Sequence, residues 1–499
     1  MAVATEPAAS APLTEAPPAR EIERRSIDWV PEEARHGKLW HQTPLWFLGN
    51  FQYFTIPIGF VGPALGLSLG WSILAGALGI FVGTLFMAFH ATQGPRLGLP
   101  QMIQSRAQFG YRGVLVPLCA VLFTYLAFNV TDQVLLSQGF QNAFGWNANV
   151  VAVAVAVLAA MIAIWGHDWV HRAFRAILLL SLPVVSILSI LSILSILSIG
   201  VLFGLAHGHA SGQHLGFTVA AFMAQFSVAA AYNITYAPYV SDYSRYLPAN
   251  TGARKVIASV FFGAAASPIW LIALGAWMAI RLGATDGLLG TKIAGNNFFH
   301  PLGSIAAILL AAGLAATMGM NAYGGMLSVL TGIDSVRKIR PTRRARIVTI
   351  LVLTVVWFVV AQSISSNAAT TVINSLTLML YLLVPWTATN LVDFFVVRRG
   401  HYAITDLFTP RGIYGTWGRR GQIAYFAGLV AEIPFMVLPS LGGFTYTGPL
   451  AKQISNVDVS WLVGLVVSGT VYFLLARTLN LRSEETAIAA SERQLAVDE

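Results

Sequence analysis

The feature that most limits what this chain can fold into is the repeated run of about 20 apolar residues, the length a helix needs to cross a bilayer. Spans of this kind are expected near 44–68, 71–91, 114–140, 148–166, 175–204 and 216–240, then near 256–280, 303–332, 346–364, 369–397, 422–440 and 459–477. Composition agrees, since 56% of the 499 residues are hydrophobic and only 10% are charged, against about 25% charged in soluble domains. The 30 basic and 21 acidic side chains could not cover a soluble surface of this size. The reading is an all-α membrane protein with twelve spans embedded in the lipid bilayer.

Basic residues orient it. With both termini inside, 27 of the 30 Lys and Arg fall in the N-terminal arm, the inner loops and the tail, leaving Arg281, Lys292 and Lys452 outside. That asymmetry is the positive-inside pattern, so both termini are expected in the cytoplasm of a cell (plasma or inner) membrane. It also accounts for the net charge of +9 without a nucleic-acid partner. Cys119 is the one cysteine, which excludes a disulfide framework or a cysteine metal site. The polar segment 1–42 carries no apolar leader core and reads as a disordered arm.

Two spans are interrupted. Span one contains Pro57, Gly59, Gly62 and Pro63, and span six contains Tyr236-Ala237-Pro238-Tyr239. A proline in mid-helix removes a donor and frees a carbonyl, and within a bilayer such breaks persist only where they are buried or line a cavity. Breaks at the first spans of two successive five-helix blocks point to inverted repeats with a midplane site, the build of a secondary transporter. The Ile-Leu-Ser triplets from Ser186 to Ser198 read as a structural low-complexity patch of span five.

Ionisable groups at membrane depth are costly and mark function. Asp132 is expected near the middle of span three and Glu432 in mid-span of helix eleven, while Asp242, Arg245, Asp393, Arg398 and Arg399 sit at cytoplasmic helix ends as solvated groups or gating pairs. Phe128 and Asp132, four residues apart, share a helix face. A ring beside a carboxyl suits a flat heteroaromatic ligand, which stacks on the ring and donates to the carboxyl. Asn50, Gln52 and Thr55 in span one, Asn233 and Tyr236 in span six, and Thr317 and Asn321 in span eight could match a base edge that alternates donors and acceptors.

At these residues the sequence resembles the nucleobase:cation symporter-1 family, in its purine–cytosine permease branch. The resemblance rests on Trp46-Phe47-Leu48-Gly49-Asn50 with Gly59 and Gly62-Pro63, and on Gly98-Leu99-Pro100-Gln101-Met102 with Gln104-Ser105-Arg106-Ala107-Gln108-Phe109-Gly110. It also rests on Tyr236-Ala237-Pro238-Tyr239-Val240-Ser241-Asp242-Tyr243, and on Pro385-Trp386 followed by Asn390-Leu391-Val392-Asp393-Phe394-Phe395 and Arg398-Arg399-Gly400. It implies a leucine-transporter-type fold, a 5+5 inverted repeat plus two extra helices, and uptake of a nucleobase or related heterocycle driven by a cation gradient. The family's sandwiching aromatics fall on Phe128 and Tyr236, where tryptophan is usual. Its third-helix amide falls on Asp132, one eighth-helix asparagine falls on Asn321, and another is replaced by Thr317.

The organisation expected is an arm over 1–42, helices one to five over 43–205, six to ten over 206–400, eleven and twelve over 401–480, and a tail over 481–499. The expected substrate-site set is Gln52, Thr55, Phe128, Asp132, Asn233, Tyr236, Thr317 and Asn321. Sodium-coupled relatives carry a Ser-Thr pair where this chain has Ala315-Ala316, and methyl groups supply no hard oxygen ligand. Proton coupling through Asp132, with Glu432 a weaker candidate, is therefore expected over sodium, and no cofactor. Allantoin, hydantoin, thiamine or a B6 vitamer are the alternative substrates. A channel would need a continuous polar stripe, and an enzyme a catalytic constellation that the histidines, including His207, His209 and His214, do not form. No Walker-type phosphate loop is present.

Overall fold

The computed structural model describes residues 27–165, 172, 175–177, 179–180, 215–297, 300–339, 342–364, 368–441 and 444–498. Span five beyond its start, the Ile-Leu-Ser run and the loop histidines 207, 209 and 214 lie outside these residues. The main helices are α1 (Gln42–Asn50), α2 (Leu69–Ala91), α3 (Leu115–Phe144), α4 (Ala148–Trp165), α5 (Val219–Ile234), α6 (Ala237–Ser244) and α7 (Ala253–Leu282). They continue as α8 (Leu302–Val336), α9 (Arg343–Ser363), α10 (Ala368–Val392), α11 (Arg419–Glu432), α12 (Ser460–Ala476) and α13 (Leu481–Asp498). Among the described residues seven helices are long and apolar enough to cross a membrane, or eight if α12 and α13, bent by 89°, are taken as one span. Spans one, six, eleven and twelve are helical too, but broken or short, and the count of twelve remains an inference from sequence.

Both expected breaks are present. Span six stops at Ile234 and resumes at Ala237, and Pro238 is the residue whose missing N–H would have served the Ile234 carbonyl. Span one uncoils at Phe51–Phe54, upstream of its prolines and glycines: Pro57 sits in the short turn Thr55–Ile58, Gly62 and Pro63 in Val61–Ala64, and Gly59 between the two. Those turns press directly on α7, where a Cβ on Gly275 would collide with the Ile56 carbonyl and one on Gly59 with the Ile272 carbonyl. Similarly, Gly79 and Gly83 of α2 lie against the α5 backbone at Phe226 and Ala230. Small residues are what allow helices to approach this closely in lipid.

Four expectations need correction. Helix eleven, expected over 422–440, ends at Glu432, because Pro434 cannot continue it, and gives way to the hairpin β1 (Val437–Leu441) and β2 (Phe444–Thr447). Glu432 is thus at a helix end instead of mid-span. Within the 1–42 arm, residues 27–41 are folded: Ile27 and Val30 are buried, Val30 N–H donates to the Gly98 carbonyl at 2.9 Å, and Arg35 donates to the Pro95 carbonyl at 2.7 Å. The segment expected as a tail contains α13, docked by Glu484.

The fourth correction concerns the solvated reading of the charged helix ends; the alternative, that they pair, is met by Asp393 and Arg398. Asp242, Arg245, Asp393 and Arg398 are buried, and only Arg399 is exposed. Arg398 grips Glu484 through two bonds of 2.8 and 2.9 Å and Asp393 at 2.6 Å. Asp393 also accepts from Gln108, Tyr402 and Tyr472. Arg106 pairs with Asp334 at 2.9 Å and donates to the Leu407 carbonyl, beside Tyr111, whose phenol burial pushes up to about 12. A buried carboxylate left without its cation is strongly penalised. Arg398→Met is therefore expected to destabilise the folded protein by about 3–5 kcal/mol, read as a lowered melting temperature in detergent.

Candidate substrate-binding site

The two breaks meet. Asn50, the last residue of α1, donates to Asn233 Oδ1 at 2.9 Å and to the Ala264 carbonyl at 2.7 Å. Asn233 in turn donates to Thr84 Oγ1 at 2.6 Å and to the same Ala264 carbonyl at 2.9 Å. Two amides thereby tie together α1, α2, α5 and α7. Across the uncoiled stretch, Gln52 Oε1 accepts from the Phe54 N–H at 2.6 Å and Gln52 Nε2 donates to the Tyr232 hydroxyl at 2.8 Å. Thr55 Oγ1 donates to the freed Asn50 carbonyl at 2.6 Å. Gln225 stitches the next turn, accepting from Gly62 N–H at 2.7 Å and donating to the Ile58 carbonyl at 3.1 Å. Backbone groups freed at a break inside a bilayer need such internal partners.

Of the expected site set, Asn233, Gln52 and Thr55 are thus committed to holding the breaks, and Thr317 donates to the Gly313 carbonyl of its own helix. The other four residues converge. Phe128 stacks on Tyr236 with ring centroids 5.5 Å apart and an interplanar angle of 28°. Around them stand Phe54, edge-on to Phe128 at 5.6 Å, and Tyr232 and Tyr239 of span six. A ring held between Phe128 and Tyr236 needs about 7 Å, twice a carbon contact of about 3.5 Å, so the pair must part to grip one.

Beside this aromatic group, Asn321 donates to Asn129 Oδ1 at 2.8 Å and to Asp132 Oδ2 at 3.3 Å. Asp132 lies within electrostatic reach of Tyr232, Tyr236 and Tyr239. Asp132 Oδ1, Asn321 Oδ1 and both polar atoms of Gln133 are buried and have no hydrogen-bond partner among the described residues. Sequence reasoning passed over Gln133, Tyr232, Tyr239 and Phe54. The recurrence of tyrosine at 232, 236 and 239, at steps of four and three residues across the break, was the signal available. Glu432 stands elsewhere, packed against Gly464 of α12, its two oxygens without a hydrogen-bond partner among the described residues. No cluster of metal-ligating side chains occurs among the described residues.

Residues 29–464 match the family of permeases for cytosine/purines, uracil, thiamine and allantoin. The chain belongs to this permease family. It is 34% identical over 456 residues to YxlA of Bacillus subtilis, named as a candidate purine-cytosine permease, covering 91% of this chain and 96% of that one. The purine-cytosine permease fcyB of Emericella nidulans is 23% identical, over 91% of this chain and 88% of its own. Among solved structures, Mhp1, a nucleobase-cation-symport-1 family transporter in a closed conformation with bromovinylhydantoin bound, superposes with a TM-score of 0.69. That likeness covers 95% of this chain and 100% of Mhp1 at 18% identity, and it shows the leucine-transporter-type fold expected from sequence. A sodium-coupled sialic acid symporter shares the fold more distantly, with a TM-score of 0.60 at 14% identity, over 90% of this chain and 91% of that one. The permease family assignment makes this chain a multi-pass membrane transporter and not an enzyme.

Gln225→Leu leaves Gly62 N–H and the Ile58 carbonyl buried without partners, each costing about 1–3 kcal/mol. A lowered melting temperature with loss of transport is expected, whereas an unchanged melting temperature would mean that the break holds without this side chain.

Proposed function

We propose that this permease imports a nucleobase of the cytosine/purine type by proton symport through alternating access. The observation that carries the reading is the Phe128–Tyr236 stack, set where two broken helices meet and flanked by the unpartnered polar atoms of Asp132 and Asn321. Parting the stack exposes two aromatic faces at the separation a planar ring requires, and the polar atoms supply its edge contacts. The relatives named as purine-cytosine permeases support the substrate class. The basic face, with both termini, is taken as cytoplasmic.

The coupling proton is assigned to Asp132. Positions 315 and 316, both buried, carry alanine methyls that offer no oxygen to sodium. A carboxyl in contact with the substrate site links protonation to occupancy, as symport demands. Glu432 is the second candidate, remote from the ring pair.

Phe128→Ala and Tyr236→Ala are each expected to weaken cytosine binding by about 1 kcal/mol or more through the loss of one stacking face, measured with purified protein. Asp132→Asn is expected to retain binding and lose concentrative uptake in proteoliposomes, while Glu432→Gln retains both. Uptake that requires sodium at fixed pH and ignores a protonophore would overturn the coupling. A preference for allantoin or hydantoin over cytosine and purines in competition would overturn the substrate class.

A further inference from the structure

The polarity of the hydrogen bonds at Asp132 is fixed by one backbone carbonyl. The Met318 carbonyl can only accept, so Asn129 turns Nδ2 toward it, at 3.2 Å, and Oδ1 toward Asn321. Asn321 must then present Nδ2, which reaches Asn129 Oδ1 at 2.8 Å and Asp132 Oδ2 at 3.3 Å. Two atoms remain, Asn321 Oδ1 and Asp132 Oδ1, both buried and without a hydrogen-bond partner among the described residues, on side chains that are each 1% exposed. The amide oxygen is an acceptor whatever the pH. The carboxyl oxygen is an acceptor when ionised and a donor when protonated.

We infer that Asp132 and Asn321 form a proton-switched edge reader, in which the proton on Asp132 is itself the missing donor for the base. With Asp132 protonated, the pair presents one donor and one acceptor. That matches any ring edge pairing an acceptor with an adjacent N–H, such as the ring nitrogen and amino group of cytosine or adenine. With Asp132 ionised, the pair presents two acceptors and matches only an edge of two adjacent donors, such as the N–H and amino group of guanine. A buried acceptor facing another acceptor is penalised. Cytosine and adenine, which have no edge of two adjacent donors, therefore enter with one proton each, whereas guanine, whose O6 and N1–H also form an edge of the first kind, can be read in either state. The inference rests on the nucleobase reading and adds to it which edges carry the proton.

Other charges are kept away from Asp132. The titratable groups facing it are the phenols of Tyr232, Tyr236 and Tyr239. Of the helices packed on α3, α4 has no charged residue, while α8 carries Asp334, paired with Arg106. Arg343, Arg344 and Arg346 lie in the first turn of α9. Asp393 follows α10, paired with Arg398, and α10 itself holds Tyr381, bonded to Asp458. In the helix Gly287–Asn296, Lys292 donates to the Ala143 carbonyl.

The test is equilibrium binding of radiolabelled cytosine and guanine to the purified full-length protein from about pH 5 to 8. Cytosine affinity is expected to fall as pH rises through the Asp132 titration, by up to about tenfold per unit, while guanine affinity, with an edge for each protonation state, falls less steeply or not at all. Asp132→Asn sharpens the prediction. Asn321 Nδ2 keeps the new amide oxygen facing itself, which leaves a permanent N–H donor where the carboxyl proton stood. Cytosine affinity in this variant is expected to become independent of pH. Equally steep wild-type profiles for both bases would overturn the edge reader and leave the nucleobase reading intact. If neither base binds the folded protein, both fall together. The wild-type comparison needs no variant to fold.

Discussion

The constraint on which the structure depends is that two helices stop inside a hydrocarbon layer and their freed backbone groups must be answered by protein. Asn50 and Asn233 meet that demand jointly, each donating to the Ala264 carbonyl while one donates to the other. Gln52, Thr55 and Gln225 complete it by bonding to backbone within or next to the uncoiled stretch. In a bilayer none of these groups has water to fall back on. Side-chain amides therefore do what the helix ladder does elsewhere, and the glycines of α2 and α7 bring the helices near enough for them to reach.

With the breaks held, the chemistry follows from what is left over. The aromatic residues of spans three and six pack on each other instead of facing lipid, and Phe128 and Tyr236 form the stack. Most polar side chains near the breaks have their hydrogen bonds filled. Among the described residues the exceptions there include the Tyr239 hydroxyl and the group Asp132, Gln133 and Asn321, where the pattern of donors is set from the Met318 carbonyl outward. In the proposed reading, what distinguishes the substrate site from the polar glue around it is unfilled hydrogen-bonding capacity, not residue type.

Much of the fold was legible in sequence because bilayer thickness and proline chemistry act locally. Apolar runs placed the described spans, and Pro238 marked the break in span six. Pro57 marked span one less well, since uncoiling begins at Phe51, where the Gln52 amide offers the backbone a substitute partner. Asn233 read as a ligand because its partners, Thr84 and Ala264, lie on other helices, and sequence carries no record of that proximity. Glu432 was misplaced even though Pro434 was in plain view as a helix terminator. The folded segment 27–41 and the Glu484–Arg398 pair escaped for the same physical reason as Asn233: each depends on contacts made across the fold.

The most direct test of the central claim is an experimental structure of the full chain with cytosine bound. The account predicts the base lying between Phe128 and Tyr236, their centroids moved from 5.5 Å apart to about 7 Å, with its polar edge against Asp132 and Asn321. Cytosine bound elsewhere, with the two rings still stacked on each other, would contradict it.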